Sequence, residues 1–436
     1  MIRSKKIFLV ALVADLLMLG VIYYASSRHP SIDPTAVTGD MKAFRLLGEN
    51  IVRHGQFSLS MSAPFFPESF RSPGFPAVLA FLYFFTRSWH VVLFLHACIA
   101  ALLPVLLYMM LRRWDERMAY WAALIFALEP NRVWVAATLL SESIFTLCLL
   151  GVLYFVIEKD FPRRHAIYAG VLVGLAVLTR PVAFFLPILC AIYFLFTARP
   201  VKEALIRGGM LICAGMLVVL PWAYRNHTLF NSWQISSIGS FNMAYYNANE
   251  FYRQKHGVYF VEKPSTLEGL SLSHTKDFNN ITSQVVGEDF LGYVKFHLVK
   301  IAPFFLTDGY RDIIRVLGGP ITTLPNITGL LLKGHVAELG VALRADVFAT
   351  SLLVFGSAFW LICFLGLCYA TFKALTEETR VRWDALLLIL VVATFAILSG
   401  PVSNARYRVP VSGILGFFSL LLLERVRDVF KQTRGA

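Results

Sequence analysis

Long apolar segments separated by short basic stretches make up most of the chain. A helix needs about 20 apolar residues to cross the hydrocarbon core of a membrane, whereas a barrel strand needs roughly 10 residues of alternating polarity. The pattern therefore predicts an all-α polytopic membrane protein with 10–12 transmembrane helices. The ten clearest spans are predicted at 7–24, 89–111, 118–130, 135–157, 166–179, 181–198, 208–224, 346–372, 384–400 and 409–424.

Clusters of lysine and arginine fall at alternate ends of these spans and mark the cytoplasmic side. Both termini are therefore predicted to be cytoplasmic, and the first apolar run is predicted to be a retained signal anchor. The chain divides into an N-terminal transmembrane module at 1–224, an extracytoplasmic or interfacial segment at 225–345, and C-terminal transmembrane helices at 346–436. A first outer loop at 25–75 belongs to the N-terminal module.

The outer segment contains two apolar stretches of its own, at 291–306 and 316–332. Amphipathic helices on the membrane surface are favoured for them over an additional pair of spans.

The amino-acid composition is also typical of a membrane protein. Of the 436 residues, 57% are hydrophobic and 15% are charged, where soluble domains carry about 25% charged residues. The net charge of +13 is explained by basic residues at cytoplasmic helix ends and against anionic lipid headgroups, so membrane lipids are expected partners and nucleic acid is not. The six cysteines lie within apolar runs and are interpreted as packing residues.

The first outer loop contains an amphipathic helix that ends at Gly55 and is predicted to lie on the membrane surface. Asp40 stands at the start of this helix. It is either the helix cap or a general base, and both roles need an ionised carboxylate. The apolar face of the helix is formed by Met41, Phe44, Leu47, Ile51 and Val52.

Arginines and carboxylates recur at the predicted outer ends of the spans. Arg71 precedes a Pro-Gly-Phe-Pro helix start, which predicts a phosphate site or an interfacial anchor. A carboxylate near the end of a membrane span is costly to remove from water, so it usually faces a cavity or a cation. A structural ion pair would satisfy such a carboxylate equally well. Arginine on the outer side suggests an anionic ligand, with interfacial anchoring as the alternative. The residues concerned are Glu129, Glu142, Arg180, Arg406, Tyr407 and Arg408, the last three in a predicted loop at 400–410.

Several motifs, taken in order, resemble the GT-C superfamily of glycosyltransferases. They are Gly39-Asp40 with its helix, Arg-Ser-Pro-Gly-Phe-Pro from Arg71, Ser-Glu-Ser-Ile-Phe around Glu142, Leu-Thr-Arg-Pro around Arg180, and Arg-Tyr-Arg-Val-Pro from Arg406. Within that superfamily, the motifs resemble those of the bacterial branch related to protein O-mannosyltransferases and to the lipid A aminoarabinose transferase. The resemblance covers 1–225 and 384–424, whereas 225–345 carries no recognisable motif.

The resemblance implies a sugar donor on a polyprenyl phosphate and inverting transfer to an acceptor outside the cytoplasm. It implies that Asp40 is the catalytic base, that Glu142 is the catalytic acidic residue of the fourth helix, and that Arg71 binds the lipid phosphate. Substrate-binding candidates are Arg180, Arg406, Arg408, Glu129 and Tyr407. No metal ligand is assigned; some relatives carry an acidic pair where this chain has Asp40 alone, so a divalent metal stays an open option. The acceptor is a glycolipid, a glycan or a protein, and the expected location is the bacterial cytoplasmic membrane with the site facing the exterior.

Two other classes of membrane protein stay open. A polymerase or ligase of polyprenyl-linked glycans would also place arginines in outer loops, but usually without a carboxylate-led amphipathic helix. A lipid flippase or transporter is less favoured, because few ionisable residues fall near the middle of the predicted spans. His96 is the main polar residue there, and a packed, hydrogen-bonded histidine is expected.

Overall fold

The computed structural model is built from helices throughout the part of the chain that it describes, which confirms the all-α polytopic fold. That part comprises residues 2–29, 32–158, 162–264, 269–310, 347–378, 381–402 and 405–434, together with isolated positions between 313 and 341. The predicted apolar stretch at 316–332 lies outside the described residues apart from Leu330.

The N-terminal half of the molecule contains eleven α-helices within its described residues. Their bounds are α1 (Ile2–Arg28), α2 (Gly39–His54), α3 (Gly74–Thr86), α4 (Trp89–Ala100), α5 (Leu102–Leu111), α6 (Glu116–Leu128), α7 (Pro130–Ala136), α8 (Glu142–Val156), α9 (Arg163–Thr179), α10 (Leu186–Thr197) and α11 (Val201–Phe230). A 3₁₀ turn, Pro181–Phe185, leads into α10.

The outer segment consists of shorter helices, and the C-terminal part of long ones. Their bounds are α12 (Ile238–Asn242), a π-helical turn (Met243–Ala248), α13 (Asn249–His256), a 3₁₀ turn (Leu272–His274), α14 (Thr275–Glu288), α15 (Phe290–Leu306), α16 (Val347–Thr376), α17 (Arg382–Ser399), a 3₁₀ turn (Gly400–Val402) and α18 (Ala405–Arg434).

Six segments of the described chain are long and apolar enough to cross a membrane. They are Ile2–Arg28, Trp89–Leu111, Val201–Phe230, Thr350–Thr376, Arg382–Val402 and Ala405–Asp428. Three shorter apolar helices, at Gly74–Thr86, Glu142–Val156 and Pro181–Thr197, accompany them. The 10–12 predicted crossings include such short helices, and that count stays a prediction.

The chain between the predicted spans 118–130 and 135–157 forms a separate short helix, α7. Pro130 occupies its first position, where a missing N–H costs nothing. The Glu129 carboxylate accepts hydrogen bonds from the backbone N–H groups of Asn131 (3.0 Å) and Arg132 (2.7 Å). A capped break therefore separates α6 from α7 and turns the chain at the end of the bundle.

Helix α2 follows the amphipathic pattern predicted from the sequence, and Gly55 ends it at a φ of +65°. Its apolar residues pack against α3 within one buried cluster. The rings of Phe44 and Phe75 meet edge to face at 5.1 Å, and Met41 is fully buried. Protein thus covers much of this face, which fixes the start of α2 relative to α3.

A buried ion pair that was not predicted from the sequence links α1 to α7. Asp15 lies in the middle of the first apolar helix, and its Oδ2 is 2.8 Å from Nη1 of Arg132, both side chains being fully buried. His96 is also buried, and its Nδ1 lies 3.1 Å from the carbonyl oxygen of Ala136. These polar groups are engaged within the bundle, as was expected for His96.

The predicted loop at 400–410 is wrong in its second half, because α18 begins at Ala405. Arg406, Tyr407 and Arg408 therefore lie in the first turn of a helix, with Pro410 inside it. Helices within membranes tolerate proline, since neighbouring groups satisfy the freed carbonyl.

Candidate active site

Asp40 lies in the first turn of α2, but it is not the helix cap. Thr38 takes that position, and its hydroxyl accepts a hydrogen bond from the N–H of Met41. The capping alternative for Asp40 is therefore wrong, and its carboxylate is available for other partners. The Asp40 side chain is 29% exposed.

Each carboxylate oxygen of Asp40 faces its own guanidinium group. Oδ1 lies 2.8 Å from Nη1 of Arg71, which precedes α3, and Oδ2 lies 3.0 Å from Nη2 of Arg406 at the start of α18. Residues 366 positions apart in the sequence thus meet in one charged cluster.

Glu142 begins α8 and is 1% exposed. Its Oε1 lies 2.8 Å from Nη1 of Arg180, the residue that follows α9, and 2.8 Å from Nε of Arg406. Arg406 therefore bridges the two carboxylates, with Nε toward Glu142 and Nη2 toward Asp40.

The close approach of α3 to α9 brings Arg71 and Arg180 to the same end of the bundle. Gly74 makes this approach possible, because a Cβ there would lie 2.7–2.8 Å from backbone atoms of Leu178 and Thr179. Any larger residue would push the two helices apart. The site therefore requires glycine at position 74 so that α3 and α9 can pack this closely.

Aromatic rings support the arginine side chains. The Tyr407 ring lies 5.0 Å from the Arg180 guanidinium and 5.5 Å from that of Arg406. Arg71 lies over the rings of Phe44 (5.3 Å) and Phe70 (5.5 Å). Cation–π contacts at these distances favour a fixed guanidinium, so aromatic rings as well as carboxylates hold the arginines in place.

The charges in the cluster keep Asp40 ionised. Burial opposes the charged carboxylate, but Arg71 and Arg406 outweigh it and hold the pKa of Asp40 down to about 2. Three guanidinium groups against two carboxylates leave one net positive charge. The cluster is therefore suited to bind one further anionic group.

Two of the substrate-binding candidates lie outside the cluster. Arg408 is fully buried, donates to the carbonyl oxygens of Phe304 (2.6 Å) and Thr307 (2.7 Å), and stacks on Trp360. Glu129 caps α7, as described above. Both residues make contacts that join or cap helices, and their predicted contact with substrate stays a prediction.

Glu68 was missed in the sequence. Its Oε1 accepts hydrogen bonds from the backbone N–H groups of Phe70 (2.6 Å) and Arg71 (3.1 Å). An acidic residue three positions before a candidate phosphate ligand was the available clue, since side chains of this kind often fix loop backbones.

No group of three or more histidine, cysteine, aspartate or glutamate side chains is placed to hold a metal ion within the described residues. In the cluster, both oxygens of Asp40 and Oε1 of Glu142 face guanidinium groups. This donor set does not fit a divalent cation, so no step below is routed through a metal.

Comparison with known proteins supports the motif-based resemblance. Residues 71–224, which include Arg71, Glu142 and Arg180, match the family described as dolichyl-phosphate-mannose-protein mannosyltransferase. No curated protein matches the chain significantly.

Solved structures of the oligosaccharyltransferase AglB from Archaeoglobus fulgidus share the fold. The complex with an inhibitory peptide and a dolichol-phosphate has a TM-score of 0.53 at 12% identity, covering 99% of this chain and 51% of that one. The complex with zinc and sulfate has a TM-score of 0.52 at 14% identity, covering 95% and 49%. The chain thus spans about half the length of the structures it matches. The family match covers only part of the chain, but together with the shared fold it supports the resemblance. The chain is an integral membrane protein with the fold of these oligosaccharyltransferase structures.

Proposed function

We propose that the protein transfers a sugar from a polyprenyl-phosphate donor to an acceptor on the extracytoplasmic side of the bacterial cytoplasmic membrane, with inversion at the sugar carbon. The observation that carries this proposal is the convergence of Arg71, Arg180 and Arg406 on Asp40 and Glu142 at one end of the bundle. A nucleotide sugar is absent outside the cytoplasm, so an activated sugar has to arrive there on a lipid.

Asp40 is the general base in this proposal. It takes the proton of the acceptor hydroxyl as the acceptor oxygen bonds to the anomeric carbon of the sugar. The bond from that carbon to the phosphate oxygen breaks, and the phosphate leaves with the electron pair. Guanidinium groups stabilise the developing phosphate charge, so a general acid is not required.

Glu142 is best assigned to positioning within this scheme. It is almost fully buried and engages Arg180 and Arg406 through the same oxygen. Its negative charge balances two arginines that would otherwise repel each other, and it leaves them aimed at the place where the phosphate would bind. Proton transfer then falls to Asp40, the more exposed of the two carboxylates.

An apolar cavity of about 530 Å³ between α3, α9 and α11 suits the donor tail. Apolar residues line it throughout, including Phe81, Val218 and Trp222. Its lining includes Pro73 and Leu178, which stand two positions from Arg71 and Arg180 respectively. An isoprenoid chain in this cavity would present its phosphate to both arginines.

The comparisons are compatible with a lipid-phosphate donor. The matched family is described by a dolichyl-phosphate mannose donor, and the AglB structure was solved with a dolichol-phosphate. The sugar and the acceptor of this chain are not specified by either finding.

The test is the substitution Asp40→Asn, which removes the base and keeps the shape. We expect the turnover rate to fall by about 100- to 10,000-fold. The measurement is release of polyprenyl phosphate from polyprenyl-phosphate mannose, and then from other polyprenyl-phosphate sugars, in proteoliposomes with a membrane extract as the acceptor source.

Asp33→Asn is the matched control, because Asp33 lies in the same outer loop and pairs with Arg45 at 2.7 Å. It should retain the wild-type rate. Normal turnover by a well-folded Asp40→Asn protein would exclude Asp40 as the base. A wild-type protein that releases no lipid phosphate from any sugar donor would overturn the function itself.

A further inference from the structure

The backbone that carries Arg71 is fixed by a buried carboxylate. Glu68 is 5% exposed, and its Oε1 accepts from the N–H groups of Phe70 and Arg71 at 2.6 and 3.1 Å. Buried backbone N–H groups need an acceptor, and this irregular loop offers them no helix or strand partner. Both bonds are made by one side chain, so the conformation of the loop at Arg71 depends on Glu68.

Residues of the outer segment, 225–345, also form hydrogen bonds to the loop that carries Arg71. Arg225, near the end of α11, donates to the carbonyl oxygen of Glu68 at 2.8 Å. Ser69 accepts twice: its hydroxyl from the N–H of Leu272 at 2.9 Å and its carbonyl from the N–H of Ser237 at 3.0 Å. Three separate parts of the chain beyond residue 224 therefore hold the loop from outside.

The side chain of Arg71 depends on this frame. It is 8% exposed, lies over Phe70 and meets Asp40 at 2.8 Å. The Phe70 ring in turn packs edge to face on Phe241 of α12 at 5.2 Å. A shift of the loop would move the Arg71 guanidinium away from the cluster, because the N–H group of Arg71 itself is held by Glu68.

We propose that Glu68 is a positioning residue for donor binding, which holds Arg71 where its guanidinium meets both Asp40 and the donor phosphate. This inference rests on the proposed function. Glu68 acts through the acceptor geometry of its oxygen and not through its charge. A negative charge beside a phosphate site would weaken donor binding, so a purely electrostatic role would give the opposite effect on removal.

Substitution separates geometry from charge. Glu68→Gln keeps an oxygen that can accept both hydrogen bonds, whereas Glu68→Ala leaves both N–H groups without an acceptor. We expect Glu68→Ala to raise the KM for polyprenyl-phosphate mannose, or for whichever polyprenyl-phosphate sugar the wild type uses, about 10-fold with a smaller change in kcat, and Glu68→Gln to stay within about 3-fold of wild type.

Asp115→Ala is the matched control. The Asp115 carboxylate accepts from the N–H of Met118 at 2.7 Å in the same manner, but at the start of α6. It should leave the donor KM unchanged. In an Arg71→Gln background, Glu68→Ala should raise the donor KM little further, because the residue it positions is already gone.

Hydrogen–deuterium exchange supplies a readout that needs no donor. In the wild type and in Glu68→Gln, the amides of Phe70 and Arg71 should exchange slowly, and in Glu68→Ala they should exchange fast.

An equally high donor KM for Glu68→Gln and Glu68→Ala, unchanged exchange in Glu68→Ala, or additive effects with Arg71→Gln would each overturn the positioning role. If Glu68→Ala does not fold, the near-normal KM expected of Glu68→Gln still decides. A wild type inactive on every donor, with the exchange pattern intact, would instead reject the proposed function and leave the loop geometry standing.

Discussion

At the scale of single residues, the contacts of Asp40 determine how strong a base it would be in the proposed reaction. Asp40 faces two guanidinium groups, and a carboxylate held this tightly takes up a proton poorly. In the proposed function, a donor phosphate would compete for the same arginines. Its arrival would loosen their hold on Asp40 and make the carboxylate more basic when the acceptor is present.

The pH dependence follows from the same contacts. Burial raises the pKa of Asp40, but Arg71 and Arg406 lower it further, to about 2 from an ordinary 3.8. A lowered pKa means that these ion pairs stabilise the fold above about pH 4 and that this contribution is lost as the pH falls through 2. Arg406→Gln removes one positive charge, so the pKa of Asp40 should rise.

We therefore expect the acidic limb of the kcat/KM profile to lie at higher pH in Arg406→Gln than in wild type. The profile is measured with saturating acceptor extract from about pH 2 to pH 8. Arg427→Gln, which removes an exposed arginine paired with Glu424 on the same helix, should leave the limb in place. Coincident limbs for Arg406→Gln and wild type would show that Arg406 does not control the ionisation of Asp40.

The charged residues of the cluster could be identified from the sequence, because charged groups are rare and costly next to membrane spans. Asp40 was selected for its place at a helix start, Glu142 as a costly carboxylate at a helix end, and Arg71, Arg180 and Arg406 as candidate anion ligands. The sequence did not predict that Arg406 and Arg408 would point to different surroundings, since both were placed in a loop. In a helix, residues two apart point about 200° away from each other, so one faces the cluster and the other the packed bundle.

At the scale of helices, the apolar cavity is a property of how α3, α9 and α11 pack. Gly74 lets α3 touch α9 at the end that carries the arginines. Farther along, Phe81 and Val218 line the space that remains between the helices. The cavity therefore lies between the apolar faces of the three helices and includes Gly74, where α3 and α9 make their close contact.

Ala77 lines this cavity on α3, and Ala77→Trp should fill it. We expect the KM for a long polyprenyl-phosphate sugar to rise about 10-fold or more, while a donor with a short farnesyl chain is affected much less. Leu205→Trp on α11 is the control, because Leu205 is 65% exposed and does not line the cavity. Equal effects of Ala77→Trp on long and short donors would mean that the tail does not occupy this cavity.

Several helix bounds were predicted to within a few residues. The span predicted at 384–400 is α17 at Arg382–Ser399, and that at 166–179 is α9 at Arg163–Thr179. Prediction failed where a cap or a proline decided the outcome, as at Glu129 and at the start of α18. Such boundaries depend on single hydrogen bonds, which an apolar pattern does not encode.

At the scale of the whole molecule, the site is assembled from helix ends that are distant in sequence. Their shared side of the membrane followed from the alternation of basic clusters, because it depends only on the number of crossings. Their separations depend on packing, which no local pattern contains. The outer segment gave no recognisable motif, yet Arg225, Ser237 and Leu272 contact the loop that carries Arg71.

The net charge of the assembled cluster predicts which class of donor it prefers. One uncompensated positive charge matches the single negative charge of a phosphodiester, as in a polyprenyl-monophosphate sugar. A pyrophosphate-linked sugar carries about two negative charges and would leave one unbalanced in a partly buried site. We expect the monophosphate donor to have at least about a 10-fold higher kcat/KM than the pyrophosphate donor of the same sugar and chain length. The comparison uses purified wild-type protein in proteoliposomes without added metal, and again with Mg²⁺. Equal or preferred use of pyrophosphate-linked glycans, with either condition, would contradict the charge argument and favour a polymerase or ligase that acts on such lipids.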